Sequence, residues 1–266
     1  MGATANSRFW GAKGRLKWAA LAVAVMLWAH TVAAADPAVF RAHAGADFNG
    51  ALARHQKEPA NAEAAWRFGR ACFDYAEFAT NDAERATLAV EGIAAMRDLI
   101  AREPKLAAGH YYLAMNLGEL ARTKMLGALK IVNEMEREFK LAQGCDERWD
   151  FAGPARNLGE LYFQAPGWPT SIGSRHKARV SLERAVALAP EYPENHLNLL
   201  EAYLKWGDNS GVERELKAVD EMWPVARKSF TGRKWESDWA DWVQRREKLA
   251  AEATQWLSSR TSRSAP

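Results

Sequence analysis

Apolar positions recur every three or four residues along most of the chain, the period of an amphipathic helix and not the alternation of a strand. Past Asp36 this pattern predicts a leading helix from Ala38 to Gln56, closed by Glu58-Pro59-Ala60-Asn61, with Asn61 as the cap of the next helix. In that next helix Trp66, Arg70, Phe73 and Glu77 share helical spacing, while Phe68, Gly69 and Cys72 hold packing positions. A partner helix from about Glu84 to Arg102 follows the Thr80-Asn81-Asp82 turn. Leu88, Gly92, Met96 and Leu99 line one of its faces, and Pro104 ends it. His110, Leu113, Ala114 and Leu117 open a second pair, whose returning helix carries the apolar stripe Met125, Leu129, Val132, Met135 and Phe139, read as core. Residues 144–153 then break the pattern.

The same offsets return twice more. Leu158, Gly159 and Tyr162 mark the first helix of a third pair, with Ala178, Leu182, Ala185 and Pro190 as its second helix and stop. His196, Leu199 and Tyr203 are followed by Val212, Leu216 and Val219, and Pro224 closes this fourth pair 34 positions after Pro190. That period is the tetratricopeptide-repeat length. A last helix from about Lys234 to Leu257 places Trp235, Trp239, Trp242, Leu249, Ala253 and Trp256 at 3-4 spacing, as a cap over the open end of an array requires. The fold class expected is therefore all-α, a tetratricopeptide-repeat solenoid of about four repeats with a carboxy-terminal capping helix. It spans residues 36–258, and residues 259–266 read as a disordered tail.

One stretch departs from the period. Between the helices of the third repeat lies Ala165-Pro166-Gly167-Trp168-Pro169-Thr170-Ser171-Ile172-Gly173, roughly seven residues more than the repeat allows. Pro166 and Pro169 each fix a backbone angle, so the loop is stiff and holds Trp168 in one place. Trp168 is either a wedge between helices or a contact over the concave face.

Composition changes the picture little, and charge changes it more. With 48% hydrophobic and 26% charged residues, the chain has the makeup of a globular protein. Its net charge of +3 belongs to residues 1–35, where Arg8, Lys13, Arg15 and Lys17 meet no acid. Removing those four leaves 32 basic against 33 acidic residues, a net charge of −1, and no basic footprint for nucleic acid. The same segment has the layout of an export signal, with an apolar core from Trp18 to Ala29 and a cleavage site after Ala33-Ala34-Ala35. A periplasmic protein is expected, or a membrane-anchored one if the segment stays uncleaved. Cys72 and Cys145 fall in no metal spacing, and each suits a small buried apolar position, with a disulfide between them in an oxidising compartment as the alternative.

The run from Gly153 to Trp206, above all A-P-G-W-P-T-S-I-G-S-R-H-K-A-R followed by L-A-P-E-Y-P-E-N, resembles the TatT component family of tripartite ATP-independent periplasmic (TRAP) transporters, with weaker similarity back to about Trp66. The resemblance implies a periplasmic repeat protein that associates with the transporter's solute-binding protein, self-associates as a trimer, and has a cavity suited to an apolar small molecule. Family members are often lipid-anchored, and this chain lacks the lipid-accepting cysteine. The repeats are also similar to the eukaryotic regulator of microtubule dynamics family, although an exported chain has no microtubule to meet.

Catalytic patterns are absent from the sequence. There is no G-x-S-x-G elbow, phosphate-cradling glycine loop or H-E-x-x-H pair, so no catalytic residue, metal or cofactor is expected. His110 and His196 hold equivalent first-helix positions, better explained by repeat packing than by a shared metal. The candidate partner or ligand residues are Trp168 and Ser171 in the loop, with Asn157, Tyr162, His110, His196 and Asn198 on first helices. Two readings remain: an accessory that holds a solute-binding protein or passes on an apolar solute, and an envelope assembly scaffold that binds peptide segments. Asn157, Tyr162, Asn198 and Lys205 suit either.

Overall fold

A computed structural model describes residues 37–124 and 128–261. The expected signal segment, Met125 and residues 262–266 lie outside the described residues. The first helix, α1 (Pro37–Lys57), leads four antiparallel pairs: α2 (Ala62–Ala76) with α3 (Asp82–Arg102), α4 (Ala107–Arg122) with α5 (Ala128–Cys145), α6 (Trp149–Gln164) with α7 (Arg175–Leu188), and α8 (Pro193–Trp206) with α9 (Asn209–Ser229). A 3-10 turn (Arg233–Trp235) then leads into α10 (Glu236–Thr261). The first helices touch in series, α2 on α4 on α6 on α8, and form the inner layer, while α3, α5, α7 and α9 pack outside them. This is the expected all-α solenoid.

Local signals explain the element starts. Asn61 accepts hydrogen bonds from the Glu63 and Ala64 amides at 2.9 and 3.1 Å, and Asn81, Ser174 and Asp208 cap α3, α7 and α9 in the same manner. Gly159 is required by close packing, since a Cβ there would stand 2.6 Å from the Leu182 side chain. Its place in the repeat therefore does what the sequence pattern implied: it lets α6 and α7 approach.

Two apolar clusters share the length of the molecule, one built from α2 to α7 and the other from α6 to α10. Helix α6 feeds both, with Leu158, Leu161 and Tyr162 in the first and Ala152 and Ala155 in the second. The cap behaves as expected: Trp235, Trp242, Leu249 and Ala253 are buried and Trp239 half-buried, α10 lying on α8 where a fifth repeat would begin. The superhelix turns far enough for Arg233 to reach Asp47 of α1 at 2.9 Å, so the two ends of the array meet.

Several expectations need correction, among them Leu129, read as core but exposed on α5. Pro224 does not close the fourth repeat; α9 runs through it to Ser229, because Trp223, Ala226 and Phe230 are buried on both sides of the proline and outweigh one missing amide donor. Cys145 is exposed and not a core residue, while Cys72 is buried, and both are free thiols. Helix α10 continues to Thr261, past the boundary at residue 258.

The break at residues 144–153 has a specific form. Asp150, Phe151 and Ala152 adopt left-handed backbone angles, with φ of +52°, +55° and +61°. Such angles cost non-glycine residues about 1–2 kcal/mol each. The buried Arg156 guanidinium offsets that cost by donating to the carbonyls of Asp150 and Phe151 at 3.2 and 3.0 Å and to the Asp150 carboxylate at 3.3 Å. Asn195 of the next repeat donates to the Phe151 carbonyl at 3.1 Å, and the Tyr111 hydroxyl donates to Asp150 at 2.8 Å. Three inner helices thus converge on one turn, which points Phe151 into stacking contact with Tyr192 at 4.8 Å.

Candidate functional site

The inserted loop stands at the carboxy-terminal end of α6 and is held by its own backbone. Gly173 donates to the Pro166 carbonyl at 2.9 Å, Thr170 to the Gly167 carbonyl at 3.0 Å, and Ser174 to the Tyr162 carbonyl at 3.0 Å. Gly173 passes so close to the opposite strand of the loop that a Cβ would meet the Ala165 oxygen at 2.0 Å. The Trp168–Pro169 peptide is cis. This frame carries Trp168 at its tip, 89% exposed, which removes the wedge reading and leaves the contact reading. Ser171 points the other way: its hydroxyl is buried and without a hydrogen-bond partner among the described residues, so it makes no bond to His176, which is exposed.

Below the loop lies a cavity of about 790 Å³ between the ends of α6 and α8 and the outer half of α10. Tyr162, Phe163, Trp206 and Trp256 supply aromatic wall, and Arg175, Glu201, Lys205, Lys248 and Glu252 supply charge. Tyr162 and Lys205 are the residues anticipated from the sequence that the fold brings here; Trp168 is above the cavity and does not line it. Tyr162 is pinned, its hydroxyl donating to Glu136 at 2.7 Å and its ring facing the Lys177 ammonium at 5.1 Å. Burial and the Glu136 carboxylate push the Tyr162 phenol well up. Tyr203 repeats this arrangement with Glu183 at 2.7 Å and the Arg179 guanidinium at 5.2 Å.

The other anticipated residues are spent inside the fold. Asn157 donates to the Tyr111 hydroxyl and the Gly153 carbonyl, both at 3.0 Å, and Asn198 accepts from Arg245 at 2.6 Å. His110 bridges Glu138 and the Pro104 carbonyl, and His196 bridges Glu215 and the Pro190 carbonyl. Each histidine therefore ties the start of its first helix to its own second helix, which is the packing role expected of them. Among the described residues no group of His, Cys, Asp and Glu is fit to hold a metal ion.

Sequence reasoning missed the acidic side of this region. Glu160 is buried on α6, one turn from Gln164 at the cavity wall, and faces Glu201 and Glu194 of α8 and Arg245 of α10. Burial, reinforced by Glu201 and Glu194 against the pull of Arg245, pushes its carboxyl up to about 8. A signal was present: Glu160-Leu161-Tyr162 and Glu201-Ala202-Tyr203 recur at corresponding places in adjacent repeats.

Paired helices in two layers, stacked in register and closed by an extra helix, define a helical-repeat protein of the tetratricopeptide kind. The solved structure of TTC0263, described as a thermophilic TPR protein in Thermus thermophilus, matches over 83% of this chain and 98% of its own, with a TM-score of 0.59 and 18% sequence identity. At that identity the likeness is one of fold. A family model described as regulator of microtubule dynamics protein 1-3 matches residues 42–134, from α1 into α5. No curated protein sequence matches the chain.

Proposed function

We propose that this is a non-catalytic docking protein of the bacterial envelope, exported by residues 1–35, that holds a protein partner through the loop at Trp168. The observation that carries the reading is the 89% exposure of a tryptophan on a loop whose backbone is fixed by its own hydrogen bonds. Exposing a rigid aromatic costs solvation without any return inside the molecule, and such side chains are the usual anchors of protein interfaces. The sequence around Trp168 is also the part that resembles TatT proteins, so the partner proposed is the solute-binding protein of a TRAP-type transporter. Trimer formation belongs to the same proposal. Carriage of an apolar solute finds less support, because five charged residues line the cavity.

The test replaces Trp168 with a photo-crosslinking phenylalanine analogue in intact cells and identifies the adduct by mass spectrometry. A periplasmic solute-binding protein is the expected adduct. Trp168→Ala is expected to weaken its binding by roughly tenfold or more, the loss typical of an aromatic anchor, with an unchanged melting temperature. Full binding by the alanine variant overturns the reading. Adducts only with other envelope proteins replace it with the assembly-scaffold reading.

A further inference from the structure

The loop at Trp168 leads into a helix start whose charge has the unfavourable sign. Residues 161–182 contain no aspartate or glutamate, and α7 begins with Arg175, His176 and Lys177, all exposed, after its Ser174 cap. Cations in a first turn oppose the helix dipole, whose positive end lies there. Two other second helices obey the dipole: α3 has Asp82 and Glu84 in its first turn, and α9 starts from Asp208. Helix formation therefore gives no reason for three basic side chains at this place.

The foot of the loop and the first turn of α7 form one unit. Gly167 pairs with Gly173 and Ser174 donates to the Tyr162 carbonyl at 3.0 Å, so the residue before Trp168 lies beside the residue two before Arg175. Arg175 and Lys177 leave opposite sides of the helix, about 200° apart. Arg175 lies over Trp206 at 5.5 Å and Lys177 over Tyr162 at 5.1 Å. Their charge is not neutralised there. Arg175 has no carboxylate within ion-pair distance among the described residues. The Glu136 Oε1 that stands 3.7 Å from Lys177 already takes Lys140 and the Tyr162 hydroxyl at 2.7 Å each, so one carboxylate serves two ammonium groups. Arg179, by contrast, is matched by Asp208 at 2.7 Å.

We propose that the face of the partner that receives Trp168 is acidic: a protein surface with an apolar socket for the indole, ringed by aspartate and glutamate side chains that meet Arg175, His176 and Lys177. The acidic face rests on the reading of Trp168 as a partner contact and adds the charge of what that contact meets. The indole supplies the anchor, while unneutralised charges around it speed encounter with a surface of opposite sign and reject one of the same sign. A lipid surface fits less well. Anionic bilayers are gripped by clusters of about four to eight cations, and the surplus here is Arg175 with one of the two lysines at Glu136.

The experiment uses the full chain in intact cells with the photo-crosslinking analogue at position 168, and adds Arg175→Glu together with Lys177→Gln. A second chain carries the same change of charge on α9 in the next repeat, Lys217→Glu together with Lys228→Gln, both exposed positions. The yield of the protein adduct at position 168 is expected to fall roughly tenfold or more in the first chain and to stay at the parental level in the second. With the captured partner purified, association with the parental chain is expected to slow about tenfold between about 50 and about 500 mM salt, and the first variant to lose most of that dependence. Melting temperatures of both variants, expected at the parental value, control for folding. Equal adduct yields from the two variants overturn the acidic face and leave the docking reading standing. No protein adduct from the parental chain, whether none at all or one with lipid, removes the docking reading itself and the acidic face with it.

Discussion

His196 occupies in the fourth repeat the place that His110 occupies in the second, each ring set between a glutamate of its own second helix and the carbonyl of the proline six residues earlier. At His110 the distances are 2.7 Å from Nδ1 to Glu138 and 3.0 Å from Nε2 to the Pro104 oxygen. Two acceptors on one ring are both satisfied only by the imidazolium, which donates from each nitrogen.

A pH dependence of stability follows. The bond to Glu138 lifts His110 above its ordinary value of 6.5 in spite of burial. Burial pushes Glu138 up, but His110 and Arg137 outweigh it and hold the carboxyl below 4.5. The histidine contribution is complete below pH 6.5 and lost as pH rises through the raised value; the glutamate contribution is complete above pH 4.5 and lost as pH falls through the lowered one. His110→Gln should therefore cost most stability between those limits and progressively less at alkaline pH, as read by urea titrations across that range.

Glu160 has the opposite sign. A buried carboxyl raised from 4.5 to about 8 binds a proton more tightly folded than unfolded, so it lowers stability as pH climbs between those values. Glu160→Gln should leave stability near its wild-type level at pH 4.5 and raise it above wild type at pH 8 or higher. Thermal melts at the two pH values check this.

Arg156 is expected to be the most sensitive polar residue. Its removal takes the guanidinium from the buried Asp150 carboxylate and the donor from the Asp150 and Phe151 carbonyls of the left-handed turn, and breaking a buried pair from one side costs about 3–5 kcal/mol. Arg156→Met should show that loss in denaturant unfolding, and a shift of Trp235 and Trp242 fluorescence should accompany it, since Phe151 packs against their cluster.

At the cap, Trp242 is fully buried and Trp239 only partly, its indole donating to the Phe230 carbonyl at 2.6 Å. Trp242→Ala should cost about 3–5 kcal/mol, and Trp239→Ala clearly less. Equal losses in circular-dichroism melts would contradict this division.

The repeat frame was legible because it rests on local rules. Helical periodicity, asparagine and serine caps, and close-packing glycines each act within a few residues, so α1 to α4 and α6 to α8 lie where the pattern puts them. Pro224 misled for the same reason: a local breaker was read without the burial of Trp223 and Phe230 that carries α9 past it. The loop at Trp168 was legible as an insertion, but whether its tip turned inward or outward was not, because that depends on the path of both flanking helices.

By itself the sequence determined the class of fold, the paired helices and the cap, since all of these follow from spacing along one chain, while it left His110 and His196 between a packing role and a place among the candidate ligand residues. Tertiary structure alone decided that Asn157 and Asn198 are consumed inside, that Arg156 locks a left-handed turn against Asn195 of the next repeat, and that Glu160, Glu201 and Lys205 share a region with Lys248 of α10. Those outcomes depend on how far each repeat rotates against its neighbour, and that rotation is set by the fit of many side chains across helix interfaces, which no local pattern encodes.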